Sequence, residues 1–201
     1  MSDVTILEDD EPPEFRSPFD VEFDTTELEI FKWLVLGHVL YVVGLALTLL
    51  AGIPYGNVWM TPLFGIPLLW RERRAPRLWA KALVFVVGFT AIHYLALYAA
   101  QQYIAAGTYV PGLVGGLIGG AGALLLCALF GLLRPGAASL IFAAFGALML
   151  GVVGSFGVGL YLTTGAADTS FAGALVQALK VYTPWQLVFA YMLSKELHRS
   201  A

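Results

Sequence analysis

Hydrophobic positions in this chain come in long unbroken blocks, with polar residues gathered between them. Phe31 to Ala51 reads FKWLVLGHVLYVVGLALTLLA, with Lys32 and Trp33 at one end. About 20 apolar residues cross the hydrocarbon of a bilayer as a helix, and Trp and Lys anchor its edge. Blocks at about 78–105, 110–133, 137–162 and 171–194 have the same character. The block at 53–70 is shorter, begins among the helix breakers Gly52, Pro54 and Gly56, and contains Pro62 and Pro67, each of which removes a helical N–H. The pattern predicts an all-α, polytopic integral membrane bundle of six spans in which 53–70 is a kinked second span. A re-entrant 53–70 with five spans is the alternative, and the turn GIPYG between apolar runs favours the hairpin.

Charge divides the chain into three parts. Residues 1–30 hold eleven acids and one arginine, residues 31–194 form the apolar body, and 195–201 form a short polar end. The first part, with adjacent prolines and no apolar period, is expected to be a disordered cytoplasmic tail. It also has no apolar core of the kind a cleavable signal peptide needs. The loop RERRAPR at 71–77, followed by Lys81, is the strongest orientation signal, because short basic loops stay cytoplasmic. With six spans, ten of the eleven Lys and Arg fall on one side and only Lys180 is left over. The expected location is the inner (plasma) membrane of a bacterial-type cell, with both termini cytoplasmic and the lipid bilayer as the first partner.

The same counts exclude several chemistries. The single Cys127 rules out an intrachain disulfide and any multi-cysteine cluster. All fourteen acids lie in the tail, the loops or the end, so no carboxylate relay can run through a span. No GxGxxG, Walker, GxSxG or HExxH pattern is present, so no enzyme activity, no metal site and no nucleic-acid partner is expected.

Between His38 and Phe89 the chain carries a span with GH, the turn IPYGN, then PLFGIPLLWRERRAP and KALVF. This quarter of the chain resembles the DUF4870 group of small bacterial membrane proteins, similar to the chloroplast import component of the Tic-twenty type. The resemblance implies a helical hairpin with a charged cytoplasmic loop, and it implies no catalytic residue. Residues 105–201 show no such resemblance.

Within the blocks two constellations stand out. Gly112, Gly116 and Gly120 recur at intervals of four, and Ala143, Ala147, Gly151, Ser155 and Gly159 answer them in the next block. Small residues at that spacing line one helix face and let a second helix approach, which points to packing of a 110–133 and 137–162 hairpin or to a contact between copies. Polar groups form the second set: His38, Tyr41 and Thr48 in the first block, Thr90, His93, Tyr94, Tyr98, Gln101, Gln102 and Tyr103 in the third, and Lys180 in the last. Lipid cannot satisfy such groups. Tyr41, Thr90, Tyr94, Gln101 and Lys180 are candidates for a polar cavity, with interhelical hydrogen bonds, an interfacial tyrosine belt and a snorkelling Lys180 as the alternatives. The expected function is that of an accessory subunit of a membrane complex, with a membrane-protein or homo-oligomeric partner, or of a carrier for a weakly polar solute, without a cofactor. The other reading is a redox protein in which His38 and His93 bind haem b or a quinone.

Overall fold

The computed structural model describes residues 27–71, 78–129, 133, 136–164 and 170–199. Most of the acidic tail and most of the RERRAPR loop lie outside the described residues. Among the described residues the fold is all-helical, with no strand. Its elements are α1 (Glu27–Leu50), α2 (Gly56–Trp59), a 3-10 turn (Thr61–Phe64), α3 (Ile66–Arg71), α4 (Leu78–Gln102), a second 3-10 turn (Ile104–Ala106), α5 (Val110–Leu129), α6 (Ala137–Thr164) and α7 (Phe171–Arg199).

Local chemistry sets the boundaries. α1 begins four residues before the apolar block, inside the expected tail, because Glu27 and Glu29 occupy its first turn, where the helix dipole favours negative charge. α7 likewise continues past Ser194 to Arg199, since KELHR contains good helix formers. Residues 53–70 fold as pieces: Tyr55 takes a left-handed conformation before α2, and Pro62 opens the 3-10 turn. A proline lacking its N–H is tolerated at the start of such a piece and not in its middle.

The pieces nevertheless run the length of α1. Gly56 sits against Thr48, Met60 and Leu63 against Gly44, and the Phe64 carbonyl against Gly37, so residues 56–71 return antiparallel to α1. α4 then rises beside them, with Thr61 against His93. α5 descends along α4, placing Gly115 by Ala96 and Ala100 and Leu126 by Gly88. α6 rises along α5, and α7 descends along α6, with Gly157 on Val181 and Gly146 on Met192. Phe31 meets Tyr191 edge-on, which closes α7 back onto α1. The six elements thus form a closed ring in chain order, and the start of α1 and the end of α7 share one end of the bundle.

That end is filled. Ile30, Leu34, Phe64, Leu68, Phe89, Leu124, Cys127, Leu150, Phe189 and Leu193 make a continuous buried core there. The outside is apolar too: Leu140, Ile141, Phe145, Leu148 and Phe156 on α6 and Leu36, Val39, Val43 and Leu47 on α1 all face outward. α1, α5 and α6 are each long and apolar enough to cross a membrane. At about 1.5 Å per residue α6 is about 42 Å long, more than the hydrocarbon requires.

Candidate functional site

Toward the other end of the ring the core gives way to a cavity of about 130 Å³ between α4, α5 and α7. Its walls are of two kinds. α5 contributes Gly112, Gly115, Gly116 and Gly119 with Pro111 and Ala123, and α6 adds Gly154 and Val158, so this side is built of small apolar residues. The opposite side carries Phe89 and His93 from α4, Thr61 and Phe64 from the broken segment, and Tyr182, Trp185, Gln186 and Phe189 from α7. Trp185 stacks on Phe189 with their planes 18° apart. On α7 the cavity-facing Tyr182, Gln186 and Phe189 follow the spacing of one helix face.

The polar atoms at this wall are held in pairs. His38 Nδ1 lies 2.7 Å from Gln186 Oε1, and since an amide oxygen only accepts, the imidazole donates. Asn57 Nδ2 donates to the Tyr182 hydroxyl oxygen at 2.5 Å. His93 Nδ1 and Thr61 Oγ1 are 2.5 Å apart, and Thr61 Oγ1 donates in turn to the Asn57 carbonyl at 3.2 Å. A carbonyl only accepts, so the one hydroxyl proton of Thr61 is committed to it and His93 donates its Nδ1–H. Behind this layer Tyr41 is fully buried edge-on to Tyr182, and its hydroxyl has no hydrogen-bond partner among the described residues.

Of the residues singled out in the sequence, His93 alone among the polar ones lines the cavity; His38 stands behind Gln186 and Tyr41 behind Tyr182. Thr90 returns its hydroxyl to the Val86 carbonyl of its own helix. Tyr94 is exposed and meets Tyr55, and Gln101 is exposed at the end of α4. Lys180 is half-buried and donates to Thr164 Oγ1 at 2.7 Å and Gln177 Oε1 at 3.1 Å, tying α7 to the last turn of α6. Asn57, Thr61, Tyr182 and Gln186 were not singled out. Their partners lie 32 to 148 positions away in the sequence, a separation that no local pattern encodes. The one available signal was the spacing of Tyr182, Gln186 and Phe189.

The glycines sit at a tight seam. A β-carbon at Gly116 would stand 2.5 Å from the Leu150 carbonyl oxygen, and one at Gly112 would overlap the Gly154 carbonyl. Gly120 faces the Leu150 side chain, and Gly151 faces Leu117. Ser155 donates to the Tyr109 carbonyl at 3.0 Å, pinning α6 to the start of α5. On α7, Pro184 has no N–H for the Lys180 carbonyl, and that carbonyl faces Gly157 where α6 crosses most closely.

Among the described residues no three His, Cys, Asp or Glu come together as a metal site. Of the two histidines considered for a haem or quinone, His93 lines the cavity and His38 does not, so they do not face one another across it. No family model, no curated protein and no solved structure matches this chain.

Proposed function

We propose that this is a multi-pass inner-membrane protein whose ring of six elements holds a small, weakly polar molecule, as a carrier or as the solute-holding subunit of a larger membrane assembly. The observation that carries the reading is the cavity itself, apolar along most of its wall and polar at Thr61, His93, Tyr182 and Gln186. Small-molecule sites commonly combine an apolar surround with a few fixed polar groups. Here each of those groups is already oriented by a neighbour, so little ordering is left for binding to accomplish.

In this proposal the broken segment is the second of six crossings, as its antiparallel course along α1 supports, and it forms with α1 the hairpin implied by the resemblance at 38–89. Both termini are cytoplasmic. The end shared by α1 and α7 carries Lys32, Arg71, Lys81, Lys195 and Arg199, whereas among the described residues the other end has only Lys180. That other end is ringed by exposed Tyr55, Trp59, Tyr98, Tyr103 and Tyr109, the residue types that gather at a membrane surface.

Native mass spectrometry after gentle extraction tests the cavity reading. The parent is expected to retain a small neutral molecule that Gly119→Phe, which places a ring in the cavity, no longer carries. Equal spectra free of added mass for the two would remove the reading. For orientation, a membrane-impermeant thiol reagent applied from outside should label Thr108→Cys and spare Ala201→Cys in a Cys127→Ala background. The reverse pattern would invert the topology.

A further inference from the structure

Resting on the cavity reading above, we infer that the molecule held is a single neutral aromatic ring carrying a hydroxyl group, of the phenol or quinol class. Size comes first. An apolar cavity of about 150 Å³ accommodates one benzene ring, and this one measures about 130 Å³. The lining agrees: it is apolar over most of its extent and includes the aromatic rings of Phe89, Trp185 and Phe189. An aromatic ring gains contact with these side chains, in the edge or offset arrangement that aromatic groups favour.

Polarity then selects the substituent. With its Nδ1 proton given to Thr61, the neutral imidazole of His93 keeps a lone pair on Nε2, and no acid lines the cavity to hold a second proton on the ring. That atom accepts, so the ligand must donate. The Tyr182 oxygen already accepts from Asn57, which leaves its own proton to give. Gln186 uses its oxygen for His38 and keeps its amide hydrogens. The His93 and Tyr182 ring centres are 5.3 Å apart, close enough for one ligand oxygen to serve both. A hydroxyl donates to His93 and accepts from Tyr182, whereas an ether or a bare carbonyl leaves His93 without a donor. A charged group would find no counterion among the lining residues.

Fluorine NMR on the purified protein in detergent, with para-fluorophenol, para-fluoroanisole and fluorobenzene as probes, decides the matter. Affinities are referred to the probe concentration within the micelle. Para-fluorophenol is expected to bind about tenfold more tightly than para-fluoroanisole, the loss expected when a buried acceptor is left unpaired. His93→Phe should abolish that preference while fluorobenzene still binds. Should His93→Phe fail to fold, Tyr182→Phe keeps the ring and removes only the hydroxyl, and it should reduce the preference in the same direction. Equal binding of the three probes to the parent, or a preference that survives both substitutions, overturns the hydroxyl assignment and leaves the cavity reading standing. If no probe binds the parent, both fall.

Discussion

Along the seam between α5 and α6, Gly112 and Gly116 meet the backbone at Gly154 and Leu150 with no side chain between them. Between α1 and α7, full-sized side chains meet instead: His38 with Gln186, Tyr41 with Tyr182, Phe31 with Tyr191. Both seams hold two helices together in the same ring, yet they respond differently to change. A backbone contact has no rotamer to adjust, so its tolerance is set by steric room alone. A side-chain contact can repack, but a polar partner it loses is left in surroundings that offer no replacement. The first seam gives the ring its shape, and the second gives its interior a chemistry.

The largest effect is expected from Gly116→Leu. The added side chain meets the Leu150 carbonyl and the Gly151 backbone, neither of which can turn away. A loss of about 3 kcal/mol or more is expected, the upper range for overpacking. Leu125→Ile, on the 61% exposed flank of the same helix, should stay within about 0.5 kcal/mol of the parent. Unfolding in detergent followed by circular dichroism would report both, and equal midpoints would remove the backbone seam.

That seam was legible in the sequence because small residues at intervals of four mark a helix face whatever lies opposite. Its contact atoms on α6 were legible only to within one residue. The interval pointed to Gly151 and Ser155, whose α-carbons would lie 2.9 and 2.8 Å from β-carbons at Gly116 and Gly112, and the carbonyls of the preceding Leu150 and Gly154 come closer still, since the crossing angle of two helices is a property of the pair. The polar seam was half legible. His38 and His93 were evident as polar atoms in apolar blocks, with interhelical hydrogen bonds expected and a shared haem or quinone only as the other reading. The structure gives each a different partner, Gln186 and Thr61, because the return of α7 onto α1 and of residues 56–71 onto α4 is decided by ring closure. The cavity could not be read at all. It arises from what five elements leave unfilled.

Next in size is His38→Ala. It deletes a buried ring and leaves Gln186 Oε1 without its donor, for an expected loss of about 2 kcal/mol, somewhat above the usual worth of one interhelical hydrogen bond in a membrane protein. The double change His38→Leu with Gln186→Leu should cost less than the two single changes added together, since no polar atom is then stranded. Strict additivity in the same unfolding measurement would mean that the pair is not coupled.

Tyr41→Phe reverses the sign. The hydroxyl of Tyr41 is the one buried side-chain polar atom without a partner among the described residues, so removing it deletes an unsatisfied group and leaves the ring in contact with Tyr182. A gain of about 1 kcal/mol is expected. A loss of stability would show that the hydroxyl has a partner in the membrane-embedded protein, and a bound water is the first to seek.

Gly119→Ala is the smallest change and the one that most sharpens the contrast between the seams. Gly119 is on α5 in line with Gly112 and Gly116, but it faces α4 and α7 across the cavity instead of the α6 backbone. A β-carbon there would lie 3.5 Å from Ala96 Cβ and 3.5 Å from the Trp185 ring, ordinary contact distances. The helix gains from alanine because glycine loses more backbone freedom on ordering, an effect of about 0.5 to 1 kcal/mol. No clash opposes that gain, so a stabilisation of about 0.5 kcal/mol is expected, whereas Gly112→Ala on the same helix should destabilise because its β-carbon overlaps the Gly154 carbonyl. The two substitutions share chemistry, helix and glycine origin, and differ only in what stands opposite. If both unfolding midpoints rise, helix propensity governs this stripe; if both fall, crowding extends to Gly119 as well; if they move apart, the seam does.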